Sequence, residues 1–322
     1  MIKKLFKGEF AYMQNLRFFY YFTAVVFAIC IICNIIFGTS LDIAFKGGTL
    51  VRYSFEGDLT EKAVSDYVSQ FKYKSLDVQI SEAVSPGSGE KYQLINIYTT
   101  NVLDTKKVTK LNEAMEKQFK DYKVKQDSTS SIQATIGKLF FIKCLVTVAL
   151  ATIFLLIYVG FRFRRIGGWP AAVMAIFALI HDLFIAYFSF IIFGISLNDN
   201  FVAVILTILG YSINGTIVVY DRVRSNRRLM PKASLNEVAD VALNQTFTRN
   251  FNTFLTTFIA IGTVAIVALL SGLESITSFA VPMMIGTVAG FYSSTFLCIP
   301  TWVLWMNKRA EKAKAKEKAK KK

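Results

Sequence analysis

The sequence predicts a polytopic α-helical membrane protein in which six transmembrane helices carry one α+β domain between the first and the second. Three observations lead there. The chain of 322 residues is 53% hydrophobic with 29 Phe and has a positive mean hydropathy, which is more apolar than an ordinary soluble domain of this length. Six runs, 18–37, 140–159, 169–193, 201–220, 251–270 and 279–304, reach the roughly 20 predominantly apolar residues that a bilayer crossing needs. Finally, Lys and Arg alternate from one connection to the next, as they do in a chain threaded back and forth across a membrane.

The arm at 1–17 carries Lys3, Lys4, Lys7 and Arg17, so it is expected in the cytoplasm. The first span, 18–37, follows a basic arm as a secretory signal would. Its apolar core is longer than a signal's, and the stretch "CNIIFGTS" makes an unconvincing cleavage site, so it reads as an uncleaved anchor.

The segment 41–137 is then expected on the exported side. Its pattern alternates "TLVRYSF" (strand), "LTEKAVSDYVSQF" (helix), "SLDVQISEAV" and "YQLINIYT" (strands around the turn "SPGSG"), "VTKLNEAMEKQF" (helix) and "KVKQDSTS" (strand). That β-α-β-β-α-β order predicts a ferredoxin-like domain. Asp58, three residues before Glu61, is the expected cap of its first helix.

The remaining five spans occupy 140–304. Arg162, Arg164 and Arg165 follow the second, and Arg222, Arg224, Arg227, Arg228 and Lys232 follow the fourth. The opposite connections, "GISLND" and "SGLES", hold no Lys or Arg. Both termini are therefore expected in the cytoplasm of a bacterial cell, including the lysine-rich tail at 307–322. The net charge of +15 reads as topology and contact with anionic lipid; no nucleic-acid partner is expected.

Several chemistries are excluded. The chain has one His, no "GxxxxGK" phosphate loop, and no Ser-His-Asp set that avoids drawing His181 from within a span. No enzyme activity, metal or cofactor is expected, and any energy used must come from elsewhere. Cys30, Cys33, Cys144 and Cys298 all fall in predicted spans, so no disulfide framework holds the exported domain. The pair Cys30-x-x-Cys33 lacks a second ligand pair and reads as two small apolar side chains.

What remains is polarity inside the spans. Asp182, beside His181 in "FALIHDLFIAYF", would cost at least about 2.5–3.5 kcal/mol if ionised at the bilayer centre. It is either a functional carboxylate or a neutral contact between helices. Span four carries Tyr211, Ser212, Asn214, Gly215 and Thr216 and ends in Asp221 and Arg222. Asn214 and Asp221 fall near one helical face, and Asp221-Arg222 marks a helix end. The small-residue pattern "GTVAG", 286–290, predicts close helix packing.

These residues carry a resemblance. "ILTILGYSINGTIVVYDRVRSNRR" is similar to the signature of the SecD/SecF family, of the resistance-nodulation-division superfamily, which usually reads L-T-x-x-G-Y-S-x-N-D-T-I-V-x-x-D-R-x-R-E-N. Gly210, Tyr211, Ser212, Asn214, Thr216, Asp221 and Arg222 match it. "FKGGT" at 45–49, "HD" in span three, "NQTFTRNFNTFLTT" at 244–257 and "GFYSS" at 290–294 resemble family motifs in the same order.

The resemblance implies an accessory subunit of the Sec protein-export translocase. Such a subunit pairs with a SecD-like half, works beside the Sec translocation channel, and uses an ion gradient, usually of protons, to draw exported polypeptides outward. It also implies an ion relay, to which Arg249 corresponds. The family's acidic residue after the signature Asn is Gly215 here, and Ala44 and Lys46 stand where D-F-T-G-G-T has Asp and Thr. The expected relay candidates in this chain are thus Arg249 and Asp182. A structural subunit that conducts no ions is the alternative, with half of a small-molecule efflux transporter ranked below it.

Overall fold

A computed structural model describes residues 10–84 and 91–320. The turn expected at 85–89, Lys3, Lys4 and Lys7 of the arm, and the last two lysines of the tail lie outside the described residues. From its N-terminal end the chain forms α1 (Leu16–Phe37) and, through a helical turn at Ile43–Lys46, β1 (Gly48–Phe55). Next come α2 (Glu61–Val68), β2 (Asp77–Val84), β3 (Lys91–Thr99), α3 (Thr105–Gln118) and β4 (Lys125–Ile132). There follow α4 (Ala134–Arg162), α5 (Gly168–Ile192), α6 (Asp199–Leu229) and α7 (Leu235–Leu270). The last crossing is α8 (Glu274–Tyr292), a π-helical turn at Ser293–Cys298, and α9 (Ile299–Lys320), which run on as one rod.

Among the described residues six helical segments are long and apolar enough to cross a membrane, at the six expected places. The protein is a multi-pass membrane protein. Two helices extend well past their apolar runs. α6 continues to Leu229, and α7 begins at Leu235 rather than near 251. Polar residues outside the hydrocarbon do not stop a helix, and Ser234 caps this one, its side chain accepting from Glu237 N at 3.2 Å. Asn244 and Arg249 therefore lie within α7 rather than on an approach to it.

The α+β domain is a four-stranded sheet of order β2-β3-β1-β4 with every neighbouring pair antiparallel. Alternate residues of β1 and β3, among them Val51, Tyr53, Ile95 and Ile97, are buried with Val64 of α2 and Leu111 and Met115 of α3, the period-2 pattern of a sheet with one packed face. The expected cap Asp58 is displaced by Thr60, whose side chain accepts from Ala63 N at 3.4 Å. A cap must stand immediately before the first helical residue, and Asp58 stands too far ahead of Glu61. Glu61 instead accepts from Ile80 N at 3.0 Å, joining α2 to β2.

This domain is rooted on the helices. Asp42 N donates to Leu197 O at 3.0 Å and Leu197 N to Ser40 O at 2.9 Å. At "FKGGT" a Cβ on Gly137 of α4 would come within 2.9 Å of Gly47 N and 3.0 Å of Phe45 O. The two backbones cross there with no room for a side chain, and Gly47 and Gly48 both have positive φ, +75° and +131°.

In the helical part α5, α6 and α8 form the interior. Ala171, Ala172, Ala175 and Ala178 of α5 are buried, and a Cβ on Gly286 of α8 would collide with the Ile208 side chain of α6. Small residues bring these backbones close, as "GTVAG" predicts. α1 and α4 lie outside and present apolar side chains outward, including Val25, Ile29, Ile32, Leu145, Ile153 and Phe154. Cys30 of α1 packs with Phe188 and Ile191 of α5.

The arm is tied to α7. Phe10 N donates to Asn244 Oδ1 at 3.1 Å while Asn244 Nδ2 donates to Phe10 O at 2.8 Å, and Met13 N donates to Asp240 Oδ1 at 3.1 Å. Tyr12 and Phe19 reach from this end to the ring of Phe296 in the π turn, with centroids 5.8 and 4.6 Å away.

Candidate functional site

The buried carboxylate of Asp182 is the first feature that needs a chemical explanation. It sits on α5 and is completely enclosed. Ser212 Oγ of α6 donates to its Oδ2 at 2.5 Å, and Ser293 Oγ of the π turn donates to the same oxygen at 2.8 Å. The other oxygen, Oδ1, faces His181 Nδ1 at 2.9 Å. His181 lies between the rings of Phe27 (5.3 Å between centroids) and Tyr292 (6.0 Å). Burying a carboxylate is expensive unless its lone pairs are met, and here three polar groups from three spans converge on two oxygens.

The local backbone produces that convergence. A π turn widens the helix, and such turns are frequent at functional sites; this one turns Ser293 inward from a segment whose residues 293–298 are all buried. Gly290, one turn earlier, lets α6 approach: a Cβ there would stand 3.1 Å from Ser212 Cβ. Two elements of "GFYSS" thus act together, Gly290 giving Ser212 its position and Ser293 supplying a second donor.

A second feature adjoins the Asp182 site through Ser212. A cleft opens between α6, α7 and α8, and Tyr211, Ser212, Asn214, Gly215, Arg249 and Ser294 are among the residues that line it. Gly215 and Arg249, far apart in sequence, share this cleft. A Cβ on Gly215 would meet Ser294 Oγ at 3.0 Å and Asn250 Nδ2 at 3.9 Å, both ends of side chains. Arg249 is exposed, and among the described residues no carboxylate lies within ion-pair distance of it. Asn214 and Thr253, also on the cleft, are exposed as well.

The expected residues of the signature, with Arg249, therefore fall in four places. Tyr211, Ser212, Asn214, Gly215 and Arg249 meet at the cleft, and Ser212 alone of them also touches Asp182. Thr216 is buried beside Cys298. Gly210 faces open space, where a Cβ would meet nothing within 4 Å. Asp221 and Arg222 do not mark a helix end as expected but lie about two turns before the C-terminal end of α6: Asp221 pairs with Arg162 at 3.1 Å and Arg224 at 2.9 Å, and Arg222 Nε donates to Gln245 Oε1 at 2.6 Å. Sequence reasoning did not single out Ser293 as a partner of Asp182. A serine pair in an otherwise apolar span was the available signal.

Residues 111–308 match the family described as protein export membrane protein SecD/SecF, C-terminal. The protein translocase subunit SecDF of Bacillus subtilis is 32% identical over 302 residues, covering 93% of this chain and 38% of that protein. The protein translocase subunit SecF of Acidaminococcus fermentans is 30% identical over 301 residues, covering 93% of this chain and 98% of that protein. Among solved structures, SecDF from Thermus thermophilus, described as a translocon-associated membrane protein, matches in fold with a TM-score of 0.76 at 24% identity, over 92% of this chain and 39% of that one. The chain thus spans about two-fifths of the SecDF proteins it matches and nearly the whole of the SecF protein.

Proposed function

Because the chain belongs to the SecD/SecF protein-export membrane family, we propose that it is an accessory subunit of the Sec protein translocase that pairs with a SecD-like half. It then acts beside the translocation channel on exported polypeptides late in their crossing. The observation that carries the pairing is the polar, uncovered surface on α6 and α7. Thr207, Asn214, Arg249, Asn252, Thr253 and Thr256 are exposed along segments that are otherwise membrane-spanning. Polar and charged groups at that depth face protein or water, not lipid, whereas the outward face of α1 is largely apolar. Transporters of this kind commonly build their path between two related halves, and this surface is where the second half fits.

In this reading the membrane is the bacterial cytoplasmic membrane with both termini inside. The domain at 41–137 is exported, and its element order and sheet order support a ferredoxin-like assignment. Single cysteines at Asn198 and Gly272 should react with an impermeant reagent added outside whole cells, and one at the exposed Ser234 should not. The chain itself carries out no covalent chemistry.

Gradient assistance rests on Arg249 and Asp182. Arg249 is always charged and can acidify a carboxylate brought to the cleft by the partner. The opposing reading, a subunit that completes the complex without conducting, is favoured by Gly215, which leaves the cleft without a carboxylate of its own. Export measured with and without a proton gradient, in vesicles holding the chain and its partner, separates them. On the conducting reading Arg249→Ala removes the gradient-dependent part while the complex still co-purifies. If gradient dependence survives intact in that variant, Arg249 is not in the path.

A further inference from the structure

We propose that His181 and Asp182 together hold one exchangeable proton, and that Ser212 is the single hydroxyl through which this proton communicates with the Arg249 cleft. The inference deepens the gradient-assisted reading above and rests on it only for its use; the proton site itself is a property of this chain. It locates a proton-binding group in a chain that has glycine at position 215.

The geometry carries it in two steps. First, the contact between His181 Nδ1 and Asp182 Oδ1, 2.9 Å long, is satisfied in either charge state of the carboxyl group. A neutral imidazole with its hydrogen on Nδ1 donates to Oδ1 of the carboxylate, and it still donates to Oδ1 when Oδ2 carries a proton. The ionised Oδ2 accepts from both serines; the protonated Oδ2 donates to Ser212 Oγ while Ser293 still donates to it. One proton can therefore arrive or leave while each contact remains a hydrogen bond, and little rearrangement is needed. Serine hydroxyls and imidazole also carry lone pairs, so competition by sodium separates proton exchange from cation binding.

Second, the two serines on Oδ2 differ in what lies behind them. Ser212 lines the cleft, and Ser293 is buried and lies outside the cleft lining. A proton reaching the cleft can bond to Ser212 Oγ as the serine's own hydrogen passes to Asp182 Oδ2. One O–H bond forms and one breaks at Ser212, which remains a neutral hydroxyl and now accepts from Oδ2–H. Loss from the pair runs through the same atoms in reverse. The groups that surrounding elements turn towards the pair are few. The last crossing contributes Tyr292 and Cys298, α1 contributes the uncharged ring of Phe27, and α7 contributes Arg249 across the cleft from Ser212. A fixed cation at the mouth disfavours a standing positive charge there, so a proton is passed on rather than retained at the cleft.

The test uses the full chain in lipid nanodiscs and infrared difference spectroscopy of the carboxyl stretch during pH and deuterium jumps. The native chain should show one protonated-carboxyl band that is lost in Asp182→Asn and whose midpoint moves by about one pH unit or more in His181→Gln. Ser212→Ala and Ser293→Ala remove equivalent hydrogen bonds to the same oxygen and control for each other's effect on folding. Ser212→Ala should slow exchange of the band by about ten-fold or more, and Ser293→Ala, which also loses a hydrogen bond to Oδ2, should shift the midpoint while slowing exchange much less. Equal rates in the two serine variants, or a titrating band that persists in Asp182→Asn, overturn the proposal. So does displacement of the band by sodium at constant pH. The measurement involves neither partner nor export: a proton site found here without gradient-dependent export would refute only the translocation reading. Gradient-dependent export without this site would put the path elsewhere.

Discussion

Asp182 and Arg249 are both ionisable groups in membrane-spanning helices, and they are held in opposite ways. Asp182 is fully enclosed and meets Ser212, Ser293 and His181, all within this chain. Arg249 stands at the edge of an open cleft, exposed. The first group has been made affordable by the fold of one polypeptide. The second can be at home in a membrane only if another molecule or water completes its surroundings. The contrast separates what this chain can do alone from what it can do only in an assembly.

The largest effect should come from breaking the enclosed side. Asp182→Leu leaves the Ser212 hydroxyl without its acceptor and Ser293 with only its longer contact to Gly290 O at 3.3 Å, and the purified chain should lose about 3 kcal/mol in resistance to denaturation in mixed detergent. If it loses nothing, Asp182 is not held as described. Asn244→Ala asks how far the enclosed region extends. It removes both hydrogen bonds to Phe10 and should cost about 1–2 kcal/mol by the same measurement, with faster proteolysis within the arm. Unchanged proteolysis would mean that the aromatic contacts to Phe296 hold the arm without Asn244.

Gly215→Asp tests the open side by adding a carboxylate next to Arg249. Its Cβ displaces only side-chain ends, by a few tenths of an ångström, and attraction to the guanidinium offsets the burial of charge. Stability should change by about 1 kcal/mol or less, and a double-mutant cycle with Arg249→Leu should give a favourable coupling. A coupling of zero would show that the two positions do not share the cleft. Smallest of all, Arg249→Leu alone should alter the isolated chain by less than about 0.5 kcal/mol. A loss comparable to that of Asp182→Leu would erase the distinction between the two groups.

The enclosed and open regions were not equally legible in the sequence. The spans were, because the bilayer sets a length that apolar runs must reach, and so was the order of strands and helices in the α+β domain. Helix extents were not: the polar first half of α7, including Asn236, Asp240 and Asn244, carries no apolar run, and only Ser234 marks its start. Asp182 stood out at once as a charge inside a span. Its partners did not, since Ser212 and Ser293 lie 30 and 111 positions away and Ser293 opens a π turn that no local pattern announces. The meeting of Gly215 with Arg249 followed from family resemblance and not from residue chemistry, because a glycine gives no chemical hint of what faces it.

The most direct test of the contrast is the reactivity of one position with and without the second half of the assembly. A cysteine at Asn214, in a chain whose Cys30, Cys33, Cys144 and Cys298 have been replaced, stands on the exposed rim of the cleft. Its labelling by a small thiol reagent is measured in membranes holding the chain alone and in membranes holding it with a SecD-like partner. The open-cleft arrangement predicts ready labelling alone and at least about ten-fold slower labelling in the pair, as expected for a residue buried at a packed interface. Equal labelling in the two membranes would contradict it.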